Sequence, residues 1–286
     1  MSNYKQIKYV LLFSYLINIA FLYGQDNEKN YVVTFTKNSL KPMAQVEDGS
    51  RQERKDLMEE FARKMNPLTP ELKMSMTLGH YWTGVSTDVL SINAYESIAD
   101  ADKVNENGQK TRERAWRRDD VREEFFKNYG KYWVGGHTDM EMFRLIPDRT
   151  KTRKRKPKEN TVVTITTHYL APLSEVEGGS AEERSEILDK YYEDVVMKND
   201  KLLSQIVLSH YWSGELGYGK GWPIVYVREW ASMADADDNE SWAKVQEESW
   251  PDEAEREAKV KRYFEYWSGN LHEDMGIYYN WVTIQK

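Results

Sequence analysis

The chain of 286 residues is long enough for one large domain or two ordinary ones, and 40% apolar with 30% charged residues is the make-up of a globular fold with a sizeable core. A formal charge of −7 argues against a general nucleic-acid binder, which needs a basic surface to neutralise phosphates. The absence of cysteine excludes disulfides, a thiol nucleophile, a thiolate metal site and a lipid anchor on cysteine.

Residues 1–25 differ from the rest. Lys5 and Lys8 precede an almost uncharged apolar stretch over 9–23, followed by Gly24, Gln25 and Asp26, the layout of a secretory signal peptide. The stretch is shorter than the roughly 20 residues of a spanning helix. No small-x-small cleavage site stands near Gly24, which keeps a retained anchor as the alternative. Removal would take the charge to about −9, because the segment carries Lys5 and Lys8 and no acid. The expectation is a secreted or periplasmic protein with no membrane span after signal removal.

The remainder is a tandem duplication, in which Gly79-His80-Tyr81-Trp82-Thr83-Gly84 recurs 130 residues later as Ser209-His210-Tyr211-Trp212-Ser213-Gly214. Each copy opens with a β-branched strand, residues 31–36 and 161–166. Ser50 with Glu53, and Ser180 with Glu183, then have the spacing of a capping box at a helix start. Leu57, Met58, Phe61 and Met65 form one apolar stripe on the first helix, as do Ile187, Leu188, Tyr191 and Val195 on its counterpart. A second strand carries the repeated motif: Met74, Met76, Leu78, His80 and Trp82 alternate on one face, matched by Ile206, Leu208, His210 and Trp212, with Tyr81 and Tyr211 opposite.

A third strand covers 89–95 or 224–230, and in the second copy a glycine-rich connection over 215–223 precedes it, long enough to close over a ligand. Both third strands run into Ala-Asp-Ala-Asp, at 99–102 and 234–237. This lacks the glycine and terminal glutamate of a calcium loop and reads as a helix-starting turn. A second long helix carries Phe126, Tyr129, Tyr132 and Trp133, answered by Val260, Tyr263, Tyr266 and Trp267. A last strand, at 140–146 or 275–284, follows His137-Thr138-Asp139 or His272-Glu273-Asp274.

Strand, helix, strand, strand, helix, strand is the ferredoxin-like unit, with two helices on one face of a four-stranded sheet and the other face bare. A bare apolar face must be buried, and the other copy is the nearest partner. The predicted organisation is a ferredoxin-like repeat over 31–147, a basic linker over 148–160 and a second repeat over 161–286. The linker, with Arg149, Lys151, Arg153, Lys154, Arg155, Lys156 and Lys158, reads as mobile and solvated, docking on an anionic surface being the alternative.

The element order, the endings Tyr95-x-Ser97-x-Ala99 and Trp230-x-Ser232-x-Ala234, and the duplication resemble the dimeric α/β-barrel superfamily. The resemblance covers residues 31–286 and implies an α+β fold of two tandem ferredoxin-like βαββαβ units packed sheet to sheet as a fused barrel, monomeric with an intramolecular pseudo-dimer. Its members include cofactor-independent monooxygenases, haem-degrading and haem-peroxidase relatives, isomerases and stress proteins, so the fold does not choose a function. No haem-family histidine motif stands on a helix, and no cofactor is indicated.

Four of the five histidines fall into repeat pairs, His80 with His210 and His137 with His272, while the counterpart of His168 is Asn38. Barrel closure would gather His80 with His272 and Asp274, and His210 with His137 and Asp139, sets able to bind a metal or to work as acid and base. Structural histidines copied by duplication are the competing reading. The aromatic-rich second half offers Tyr226, Arg228 and Trp230 on one side of a strand, with Tyr81, Trp82, Tyr211 and Trp212 as further ligand contacts and Arg228 or Glu229 supplying polarity. The sequence therefore supports an exported small-ligand-binding protein with a pocket inside the barrel. The alternatives are a cofactor-independent oxygenase or isomerase-like enzyme using His80 or His210 as general base, and a structural or envelope-stress protein with a filled barrel.

Overall fold

A computed structural model describes residues 30–155, 157–211 and 221–286. The signal-like segment, Trp212 and most of the glycine-rich connection lie outside the described residues. The strands are β1 (Val32–Ser39), β2 (Leu72–His80), β3 (Asp88–Tyr95), β4 (Thr138–Leu145), β5 (Thr161–Leu170), β6 (Leu202–His210), β7 (Trp222–Trp230) and β8 (Trp267–Asn280). They close into one antiparallel barrel in the order β1-β3-β2-β8-β5-β7-β6-β4. Each half lays its strands in the same sequence, and the halves join edge to edge where His80 pairs with Tyr278 and where His210 pairs with Phe143. The barrel is thus completed within one chain.

Helices pack outside the barrel: α1 (Arg51–Met65), α2 (Ile98–Glu106), α3 (Gly108–Ala115) and α4 (Asp119–Gly130) in the first half, and α5 (Ala181–Tyr191), α6 (Met233–Ala236), α7 (Asn239–Ser249) and α8 (Glu253–Glu265) in the second. The capping signals act as expected, with one addition. The Ser50 hydroxyl accepts from Glu53 N at 3.0 Å, but Ser50 N donates to the Tyr132 hydroxyl, which donates to Glu53 Oε2 at 2.6 Å. Ser180, Tyr266 and Glu183 repeat the device. Tyr132 and Trp133, expected within the second helix, therefore lie past its end, because the chain must turn for the phenol to reach the start of α1. The Ala-Asp-Ala-Asp turns begin helices, Ser97 and Ser232 accepting from Asp100 N and Asp235 N.

Strand alternation sends Val33, Phe35, Leu78, Ile92, Phe143, Val163, Ile165, Leu208 and Val227 inward, all within one buried apolar cluster. Phe35 and Phe143 meet edge to face at 5.0 Å across a seam between strands. An eight-stranded barrel is just wide enough for side chains to fill, and these do. The pocket expected inside the barrel is accordingly replaced by packed core. The bare sheet faces satisfy one another, as their apolarity required.

The solvated reading of the basic linker is corrected for Arg149, Lys151 and Arg153, which are docked, whereas Lys154, Arg155 and Lys158 are exposed. Lys151 exchanges backbone hydrogen bonds with Gln205 and donates from Nζ to the carbonyls of Val196 and Asn199. Burial pulls its pKa down to about 8. Arg149 pairs with Asp189 at 2.8 Å, and Arg153 with Glu229 at 3.0 Å. Glu229, 1% exposed, faces inward at one end of the barrel and also accepts from Thr161, Ser204 and Asn280. It is a floor residue rather than part of a pocket shared with Arg228, since neighbours on a strand face opposite sides. One member of a run of positive charge read as solvated, Arg153, thus closes this end of the barrel on a buried carboxylate.

Candidate functional site

On the outer face of the second half, Thr164, Arg228 and Gln205 stand in register across β5, β7 and β6. Arg228 Nε donates to Gln205 Oε1 at 2.9 Å, which fixes the guanidinium plane. The group lies 4.6 Å from the Tyr226 ring centroid and 5.7 Å from that of Trp242 on α7. Among the described residues no carboxylate pairs with it. A crevice of about 310 Å³ opens beside it between sheet and helices, bounded by His168, Tyr226, Tyr191, Trp242, Tyr263 and Trp267. A second lobe of about 590 Å³ lies against Arg228, Trp230, Trp242 and Thr164. Arg228 stands between the two.

Burial makes this site electrically selective. Desolvation pulls His168 down to about 4, with Arg228 and His272 adding to the shift, so the ring is neutral near pH 7. Desolvation pushes Tyr226 up to about 12 and Tyr263 well above its ordinary value, so both phenols stay protonated. Trp267 Nε1 is buried in the crevice wall without a hydrogen bond of good geometry, and Tyr263 is the polar neighbour it acts on. His168 meets Tyr226 and Trp267 edge to face at 5.4 and 5.9 Å, and Tyr191 stacks on Tyr263 at 3.9 Å. The first crevice offers Arg228 beside neutral donors and flat apolar walls, its second guanidinium, Arg149, being held by Asp189, while Asp237 and Asp274 line the second lobe.

The remaining sequence candidates are dispersed. Tyr226, Arg228 and Trp230 share the outer face as predicted, Trp230 being buried with Nε1 donating to Thr164 Oγ1. His80 lies level with Tyr278, six residues along β8 from His272, roughly 20 Å at strand rise. His210 lies level with Phe143 and is separated from His137 by a similar stretch of β4. His272 instead pairs with His168, ring to ring at 5.7 Å. His137 and Asp139 approach to 3.5 Å, and His272 and Asp274 to 3.7 Å, as exposed neighbours on their own strands. The two cross-barrel histidine sets are therefore not assembled, and among the described residues no group of three metal-ligating side chains forms.

Nor do His80 and His210 meet Arg228. They take the inward-facing positions of β2 and β6 at the barrel rim, where Trp222 lies against His210, while Arg228 faces outward. Tyr81 packs on Tyr279, Trp82 is 74% exposed, and Arg144 covers the Tyr211 ring. Trp212 lies outside the described residues. His168 is the site residue that sequence reasoning passed over. Its signal was its departure from the repeat, since the first half has Asn38 there and Asn93 where the second has Arg228.

No family model and no curated protein matches the chain. Solved structures with a similar chain course include a candidate monooxygenase from Lactobacillus acidophilus NCFM, 9% identical, covering 87% of this chain and 93% of that one, with a TM-score of 0.44. An anthrone oxidase-like protein is 13% identical over 89% of this chain and 92% of that one, with a TM-score of 0.41. A chlorite dismutase variant from Candidatus Nitrospira defluvii is 7% identical over 89% and 92%, with a TM-score of 0.45. At these identities and scores no activity and no residue role passes from them to this chain. No helix among the described residues is long and apolar enough to cross a membrane.

Proposed function

We propose that the protein binds a small, flat aromatic molecule carrying an anionic group in the sheet-to-helix crevice of its second half. The observation that carries this reading is Arg228: a guanidinium oriented by Gln205, walled by aromatic rings and without a carboxylate partner among the described residues. A cation among apolar walls is costly unless an anion joins it, and a carboxylate can take two parallel N–H donors from such a fork. The neutral His168 adds a donor, while Tyr226 and Trp242 supply faces for stacking. In this reading the barrel is built of two tandem ferredoxin-like units, supported by the same strand order and helix-start device in each half. The first serves as scaffold for the second. Export, suggested by residues 1–25, belongs to the same proposal and is decided by N-terminal sequencing of the protein from a secreting host.

The test is a titration of tryptophan fluorescence with benzoate and 2-naphthoate, using benzamide as the uncharged control. Binding to the wild type should weaken about tenfold or more in Arg228→Met, the loss expected for a charge-assisted hydrogen bond. Equal affinity for benzoate and benzamide, or an unchanged affinity in Arg228→Met, would overturn the proposal.

A further inference from the structure

The first half has a crevice at the equivalent place, and its chemistry is different. Across β3 and β2, Ser91 stands opposite Thr77 and Asn93 opposite Ser75, with Asn38 on β1 facing the same side. All five side chains border a cavity of about 530 Å³, within the range that encloses small ligands. None of them hydrogen-bonds another described side chain, and all are half-buried. They form a patch of hydroxyls and amides left available on a sheet face that helices otherwise cover.

Opposite this patch are Phe61 on α1 and Tyr129 on α4, their rings stacked at 5.1 Å with an interplanar angle of 12°, and Trp133 at 5.8 Å from Tyr129. The cavity lining contains no charged side chain. In the second half the corresponding strand positions hold Gln205, Arg228 and His168. Two crevices of one origin therefore differ in the property that decides what enters.

An ion would find nothing here to offset its desolvation. A plain hydrocarbon would strip water from five polar groups without replacing their hydrogen bonds. Hydroxyls and amides both donate and accept, and so do the hydroxyls of a sugar. The electron-rich ring faces attract the polarised C–H bonds on a sugar's apolar side. We propose that the first-half crevice is a second binding site, for an uncharged saccharide of one or two rings, held between the Ser75–Thr77–Ser91–Asn93 patch and the Phe61–Tyr129–Trp133 wall.

The test uses saturation-transfer difference NMR on the whole chain with glucose, N-acetylglucosamine and maltose as probes. The wild type should give signals from at least one, and Ser91→Ala/Asn93→Ala should weaken that binding about tenfold, the effect of losing two or more neutral hydrogen bonds. Arg228→Met should leave it unchanged. Asn93→Gln, which keeps the amide, guards against a loss caused by misfolding and should retain most of the affinity. Absence of saccharide binding, binding that survives Ser91→Ala/Asn93→Ala, or binding abolished by Arg228→Met would each overturn the proposal. The benzoate titration of the second half is independent, so either site can fail alone.

Discussion

Replacing His168 by Asn should make the protein less sensitive to mild acid. The unfolded chain binds a proton at His168 with a pKa near 6.5, whereas burial holds the folded ring at about 4, with Arg228 and His272 pressing the same way and Asp274 opposing. Between these values the unfolded chain carries a proton that the folded chain refuses. Stability therefore falls as pH drops from above 6.5 toward 4. At about 1.4 kcal/mol per pKa unit the complete effect is about 3 kcal/mol, of which about 2 is developed by pH 5. The ring is only half-buried, and solvent screening brings the expectation to about 1 kcal/mol. Asn is the residue the duplication places at the equivalent Asn38, so the strand accommodates it. Urea denaturation of both chains near pH 7.5 and pH 5 isolates the term, since shared carboxylate titrations cancel in the difference. Equal losses in the two chains would refute the claim that the crevice keeps His168 neutral.

Gly79→Ala should destabilise by about 1–3 kcal/mol, because the new methyl group would collide with the Trp281 indole lying over β2, and an unchanged melting temperature would contradict this. Arg153→Ala should cost upwards of about 2 kcal/mol in chemical denaturation by leaving Glu229 buried without its cation, and Glu229→Gln should cost less. Glu183, held down at about 2 by Arg262 and Tyr266, contributes stability that is present above the unfolded carboxyl pKa near 4.3 and lost as pH falls through about 2. Glu183→Gln should flatten that acid limb in a thermal scan, and an identical limb would exclude the pair as its source.

Much of the barrel was legible because its signals are local or duplicated. Ser50 and Ser180 announced helix starts, and apolar alternation on β2 and β6 announced a buried face. The Gly79-to-Ser209 difference in the repeated motif becomes intelligible only with tertiary neighbours. Trp281 N bonds Thr77 O and puts an indole over Gly79, whereas Ile146 N bonds Val207 O at the equivalent place with a smaller side chain. The paired histidines misled for a related reason. Duplication preserves residues that finish strands as readily as residues that bind, and position along a strand carries no record of the distance to another strand.

The linker shows the same limit from the other side. Its positive charge was visible, but charge runs are solvated unless a buried partner exists, and Glu229 sits 76 residues from Arg153 in the chain. Such a partner is a property of barrel closure.

What the sequence alone determined is that strands with one apolar face would alternate with capped helices along the chain, because alternation and capping are written over a few consecutive residues. Only the tertiary structure decided which surfaces remained open. Closing the barrel consumed the inner faces and left the outer ones beneath the helices, where single exchanges such as Asn93 against Arg228 set the charge of each crevice. Those exchanges look minor along the chain because their meaning depends on burial, and burial is a property of the assembled fold.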